Sequence, residues 1–215
     1  MHIKLMIRTF KKILRIPFFL NKLFFIKYNK FLFKINEIKF GKNMQVHGHI
    51  YLKIRSFSNI KIGNHFTFTS GCGINPLCRN IKGQLFVAEN ATLLIGDNVG
   101  ISSSCLWVKN KLSIGNNVFI GGDCIIMDTD AHNLDYLVRR DRNINEKGLT
   151  QDVITAKSSP ITIGDDVLIG TRCIILKGVS IGSRTVIGSG SVVTKSIPND
   201  CIAAGNPCKI IRYTK

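Results

Sequence analysis

Acidic residues are scarce in this 215-residue chain, with 13 Asp and Glu against 30 Lys and Arg and a formal charge of +17. Such a surplus attracts polyanions, but the aromatic residues do not alternate with glycine as in an RNA-binding sheet, so no nucleic-acid partner is expected. Histidine is sparse too, five in all, and His2, His47, His49 and His65 lie outside the regular part of the sequence. That argues against metal hydration chemistry, which draws several histidines from adjacent repeats, and no metal is expected. The seven cysteines are odd in number and include no Cys-x-x-Cys pair, which fits a reducing, cytoplasmic compartment. No uncharged stretch approaches the roughly 18 residues of a spanning helix. No signal-peptide core with a cleavage site is present. Serine nucleophile elbow, Walker loop and dinucleotide fingerprint are all missing, and Gly188-x-Gly190 is a fragment of a repeat.

What is present is a repeat. Between Ile163 and Pro198 an aliphatic residue recurs every sixth position: Ile163, Ile169, Ile175, Ile181, Ile187 and Val193. Glycine follows four of them (Gly164, Gly170, Gly182, Gly188), and small or β-branched residues stand four positions on: Val167, Cys173, Val179, Thr185, Ser191 and Ile197. Neither 3.6 nor 2 divides this period, so it describes a hexapeptide β-helix, three hexapeptides to a triangular turn. The glycines are expected to supply the backbone conformations of the corners. The same phase appears at Ile62-Gly63, Ile95-Gly96, Ile101, Trp107, Ile114-Gly115, Ile120-Gly121 and Ile126, with one extra residue near Lys111–Ser113. Cys105, Cys124 and Cys173 are expected at its small-residue position as compact apolar groups.

The rest divides around that repeat. Residues 1–40 hold ten Lys or Arg against Glu37 alone, with eight of the thirteen phenylalanines. Residues 3–16 read as an amphipathic helix that Pro17 ends or kinks, followed by a basic apolar run to Phe33. Such a segment either lies on an anionic bilayer, at the inner face of the membrane through residues 1–35, or packs on the protein's own first coils or a neighbouring subunit. Residues 41–198 form the β-helix, interrupted by turn residues at 71–83 and by a loop at 133–160 with no repeat. Arg139, Arg140 and Arg142 in that loop could meet an anion. Residues 199–215 read as a tail that leaves the solenoid after Pro198 and folds back along it.

His132 is the one histidine where regular coil meets protruding loop, in MDTDAHNLDY. Loops on a rigid scaffold carry reactive groups, and an imidazole accepts a proton near neutral pH. It reads equally as a general base or an ordinary turn histidine. Asp128 and Asp130 alternate with it, so either carboxylate could orient the ring, and a metal site is the less favoured use of the three.

The stretches SPITIGDDVLIG, ILKGVSIG, VIGSGSVVTKSIP and AAGNPCKIIR, with TDAHNLD upstream, resemble the hexapeptide-repeat acetyltransferases, the group of maltose, nodulation-factor and cell-surface polysaccharide O-acetyltransferases. The likeness is close from Ser159 to Arg212 and reaches back to about Ile95. It implies a left-handed β-helix, an exception to the usual crossover hand. It also implies a homotrimer with acetyl-CoA in the groove between two subunits. His132 then matches the family's catalytic histidine, taking a proton from an acceptor hydroxyl as that oxygen attacks the thioester, with backbone N–H groups of a neighbouring coil holding the oxyanion. By position, Thr171 and Ser189 would line the pantetheine channel. Thr194, Lys195, Lys209 and Arg212 would face the nucleotide and its phosphates. Ser102 and Asp130 fall on the acceptor side. Two residues depart from the family pattern: Thr171 replaces a glycine and Cys208 an alanine.

The reading is thus an all-β chain, a left-handed parallel β-helix of hexapeptide repeats with a basic N-terminal helix and one protruding loop. Its expected activity is transfer of an acyl group, acetyl first, from CoA to a sugar hydroxyl of a surface glycan or its precursor. An amino-sugar or serine acetyltransferase and a non-catalytic hexapeptide scaffold are the alternatives.

Overall fold

A computed structural model describes residues 2–71, 75–78 and 81–214. After helix α1 (His2–Ile35) the chain winds as a three-faced, left-handed parallel β-helix. The first face stacks Lys39–Phe40, Asn59–Ile62, Thr92–Ile95, Lys111–Ile114, Ile161–Ile163 and Ser180–Ile181. The second runs from Gln45–His47 through Thr67–Thr69, Gly100–Ser102, Phe119–Ile120 and Leu168–Ile169 to Val186–Ile187. The third runs from Tyr51–Ile54 through Gln84–Val87, Cys105–Val108, Ile125–Met127 and Ile174–Ile175 to Val192–Val193.

The repeat's aliphatics pair in register from coil to coil, Ile114 on Ile163 on Ile181 and Ile126 on Ile175 on Val193. All six and their i+4 partners are buried. Stacked this way they form one continuous apolar column whose burial drives the winding.

The corners depart from the expected role of glycine. At five of the repeat's six corners the third residue after the aliphatic is left-handed: Asp166 (φ 57°), Arg172 (58°), Arg184 (57°) and only then Gly178 and Gly190. The glycines directly after the aliphatics have another reason to be small. A Cβ on Gly170 would stand 2.5 Å from the backbone N of Ser189, and one on Gly182 2.4 Å from that of Asn199. They let one coil sit on the next.

A polar ladder fastens the corner between the first and second faces. The amide N–H of Lys42 donates to Asn64 Oδ1 (2.9 Å), that of Asn64 to Asp97 (2.6 Å), of Asp97 to Asn116 (2.8 Å) and of Asn116 to Asp165 (2.6 Å). It continues from Asp165 to Ser183 Oγ (3.1 Å) and from Ser183 to Asn199 (2.8 Å). Each rung satisfies a corner amide that has no strand partner.

Three expectations need correction. Leu106, not Trp107, points into the core, because the chain takes only five residues from Ile101 to Leu106 and then lengthens the strand so that Val108 is also buried. The coil is still 19 residues, Ile95 pairing with Ile114. Trp107 and Cys105 therefore lie on the outside, Trp107 edge-on to Phe86 at 5.4 Å. Second, the solenoid does not end at Pro198. Ile197 bridges Ile181, and Cys201–Ala204 adds a further parallel strand on Val186–Ile187 before Gly205–Pro207 reverses the chain into the antiparallel strand Lys209–Tyr213. Third, Pro17 does not end α1, which runs through it. The side-chain faces expected over residues 3–16 lie outside the described residues. The winding also begins before residue 41, at Lys39.

The second half of α1 is fastened to the first coil. Asn29 is fully buried and donates to the carbonyls of Val46 (3.1 Å) and Gly48 (2.8 Å), one helical turn from the buried Phe33. Its inner face closes the end of the core, as a cap must where stacking stops.

Candidate active site

The chain leaves the third face at Met127 and returns at Ile161, closing the base of the loop through a bridge between Thr129 and Ser158. Within the loop lie two short helices, α2 (Tyr136–Arg140) and α3 (Gln151–Ile154). The loop leans back along the corner, and Lys147 meets Glu89 two coils below at 2.6 Å.

His132 sits at its root, after Ala131 in the left-handed region (φ 62°). Its Nδ1 lies 2.6 Å from Asp152 Oδ2, and the amide of Asn133 donates to Asp152 Oδ1 at 2.7 Å. The imidazole side chain is 63% exposed and the carboxylate 11%. The hydrogen bond from His132, chiefly, then the Asn133 amide and the charges of His132 and Arg139, hold Asp152 below the usual carboxylate range against partial burial. A carboxylate on Nδ1 fixes the tautomer that carries the lone pair on Nε2 and steadies the imidazolium once it forms. This arrangement can remove a proton from a hydroxyl and return it.

The orienting carboxylate is thus Asp152, twenty residues on, rather than Asp128 or Asp130. No spacing rule connects the two across an irregular loop. Asp128 is fully buried and accepts the amides of Lys109, Asn110 and Lys111 at 2.6, 2.8 and 2.7 Å. Burial pushes its carboxyl up, and these N–H bonds pull against it. Asp130 Oδ1 pairs with Lys177 Nζ at 2.6 Å. The side chain of Arg139 donates to the Asn133 carbonyl (2.7 Å), and Arg140 lies over the Tyr136 ring. Among the described residues no group of three His, Cys, Asp or Glu could hold a metal.

Other sequence-selected residues fall on two different corners. Thr171 and Ser189 occupy the corner between the second and third faces, stacked with Gly122. Thr171 Oγ1 donates to the Gly122 carbonyl (2.6 Å), and the amide of Gly190 donates to the Thr171 carbonyl (2.8 Å). Both residues line an open groove of about 570 Å³ on the second face, with Ser102 and Thr69 at its polar end and Phe119 and Leu168 along its wall. Ser102 Oγ accepts from Asn75 at 3.1 Å. A groove floored by Gly100, Gly121, Gly122 and Gly170 admits an extended chain close to the backbone. Thr194 and Lys195 are exposed on the corner between the third and first faces, in the column of Leu176 and Lys177 and beside the root of the His132 loop. Lys209 and Arg212 project from the final antiparallel strand. One chain therefore does not bring His132 and the Thr171–Ser189 groove together: the width of the third face lies between them.

Two family models match, the bacterial transferase hexapeptide (six repeats) over residues 160–195 and the hexapeptide repeat of succinyl-transferase over residues 111–127. The Saccharomyces cerevisiae protein YJL218W, which carries an acetyltransferase name, is 34% identical over 75% of this chain and 82% of its own length. Galactoside O-acetyltransferase of Escherichia coli is 38% identical over 61% of this chain, which spans 59% of that protein. The crystal structure of a hexapeptide-repeat acetyltransferase from Vibrio cholerae, solved with acetyl coenzyme A, shares the fold with a TM-score of 0.56 at 21% identity, covering 88% of this chain and 78% of that one. With the coil stack, the repeat and a relative matched over most of its length, the chain belongs to the hexapeptide-repeat acetyltransferase family.

Proposed function

We propose that this protein transfers an acetyl group from acetyl-CoA to a hydroxyl of a sugar, with His132 as the general base. The observation that carries this reading is the 2.6 Å contact between His132 Nδ1 and Asp152, which leaves Nε2 exposed as the acceptor of the proton. The acceptor oxygen loses its proton to Nε2 as it bonds to the thioester carbonyl carbon. The tetrahedral adduct then expels the thiolate, and the imidazolium returns the proton to sulfur. Holding both substrates in one groove supplies much of the remaining acceleration. The small-residue groove suits a pantetheine arm, with Thr171 and Ser189 beside it. Exposed Lys195, Lys209 and Arg212 carry the charge that phosphates need, and Ser102 stands at the acceptor end. The name of the E. coli relative supports a sugar acceptor.

The test follows CoA thiol release with a panel of sugars. His132→Ala should lower turnover by about 10² to 10⁴. An alanine variant as fast as the parent would sink the assignment.

Two further readings accompany it. His132 and the groove stand on opposite edges of the third face, which favours a homotrimer in which the histidine of one chain faces the groove of the next. On α1 the outward residues Leu20, Phe24, Phe31 and Ile35 form one stripe with Lys27, Lys30 and Lys34 along its flank. No described helix is long and apolar enough to cross a membrane. An aromatic stripe edged by lysines suits the surface of an anionic bilayer, the inner membrane face in particular.

A further inference from the structure

The loop that carries Asp152 is held by a lysine from a different coil. Lys109 follows the third-face strand Cys105–Val108. Its backbone is set by Asp128, whose carboxylate takes the three successive amides of residues 109–111. From that fixed turn the side chain reaches sideways into the loop. Its Nζ donates to the carbonyl oxygens of Val153 (2.7 Å), Ala156 (2.9 Å) and Ile154 (3.3 Å). These lie at the C-terminal end of α3, where a short helix leaves its carbonyls without partners and its dipole favours a cation. Asp152 is the second residue of that same helix. The ammonium thus uses all three of its protons on the segment that aims the carboxylate at His132.

We propose that Lys109 is the positioning residue of the catalytic histidine, acting through α3 and Asp152 without touching either substrate. The chain of contacts is continuous: Asp128 to the 109–111 turn, Lys109 to the carbonyls of α3, Asp152 to the imidazole. Each is a charge-assisted hydrogen bond, the kind that holds geometry best. The charged groups around the ring are Asp152 on its Nδ1 and Arg139, which bears on Asp152. The Asp130–Lys177 pair lies at the loop root, and Lys109 with Asp128 stands behind α3. Of these only Asp152 contacts the ring. An effect of Lys109 on the imidazole must therefore pass through the carboxylate.

This inference rests on His132 being the base, but its test separates the two. The Nδ1 proton of His132, which the hydrogen bond to Asp152 shifts downfield and shields from exchange, is followed by NMR in the full-length protein, assigned by its loss in His132→Ala. In Asp152→Asn that signal should move upfield or broaden away, because the ring loses its charge-assisted partner. Lys109→Met should move it in the same direction, lower kcat by about tenfold to a hundredfold and leave the KM for acetyl-CoA close to that of the parent. The double variant should be no worse than Asp152→Asn alone, since both break one chain of contacts. Lys109→Arg, which keeps the charge and several donors, should hold the signal nearer to the parent's than Lys109→Met does. If Lys109→Met does not fold, Lys109→Gln, which falls short of the carbonyls, carries the same expectations. An unmoved imidazole signal, or losses that add in the double variant, would overturn the proposal. Full turnover in His132→Ala would instead overturn the general base and leave the NMR result standing.

Discussion

At the scale of single residues, the proposed site rests on one pair. His132 is exposed enough to meet a substrate, and Asp152 is shielded enough to hold it in one tautomer. Asp152 has its carboxyl lowered in the fold, so the stabilisation it gives the loop is fully present above the ordinary carboxylate range. It is lost only as pH falls through the lowered value. Protease cleavage within residues 133–158 should therefore stay slow from neutral pH down to that range and quicken below it. In Asp152→Asn the cleavage should already be fast at neutral pH, with no acid step of its own. An acid step of equal size in both proteins would place the titrating group elsewhere.

At the scale of elements, the corners decide whether the coils stack. Gly170 and Gly190 lie at the same corner but are small for different reasons. A Cβ on Gly170 would strike the next coil's backbone, whereas Gly190 has open space and a left-handed φ of 74°. Gly170→Ala should cost about 1–3 kcal/mol from overpacking and resist rescue. Gly190→Ala should cost about 1–2 kcal/mol of backbone strain, and Gly190→Asn less than that. Thermal unfolding of the three variants checks the order. Helix α1 joins two roles in one element, its inner face locked by Asn29 and Phe33 and its outer face left apolar. Deleting residues 1–35 would remove part of the core as well. The outer stripe is better tested by Phe24→Ser with Phe31→Ser, which should leave the melting temperature nearly unchanged and abolish flotation with anionic vesicles. Flotation equal to the parent's would reject a bilayer-facing stripe.

At the scale of the whole molecule, the stacking of coils places chemistry by edge. His132 and Lys195 share one corner and Thr171 and Ser189 another, with the third face between them. A groove closed between copies predicts a solution mass of three times the 24.0 kDa chain. It also predicts complementation: inactive His132→Ala mixed and refolded with inactive Thr171→Trp should regain activity, because some interfaces receive one intact half from each. Activity no higher than that of the separate variants would place both halves of the site within one chain.

The winding and its core were legible in the sequence because a six-residue period repeats one local solution, and each coil needs only the next to bury its aliphatics. His132 stood out as a candidate by its place where coil meets loop and by the TDAHNLD resemblance. The departures came where the period broke. Trp107 looked inward because a residue lost at Ser103–Ser104 and two gained in the following strand nearly cancel in the count. Cys201–Ala204 looked like tail because Pro198 breaks the six-residue phase before the strand begins. Asp152 and Lys109 could not be read at all, since their contacts cross 20 and 44 or more positions through an irregular loop. A side-chain hydrogen bond between distant segments leaves no periodic trace. Repetition along the chain therefore determined the scaffold and the edge where the loop bearing the His132 ring leaves it. Only the tertiary structure, by bringing a loop, a corner lysine and a buried carboxylate within bonding distance, decided which groups hold that ring.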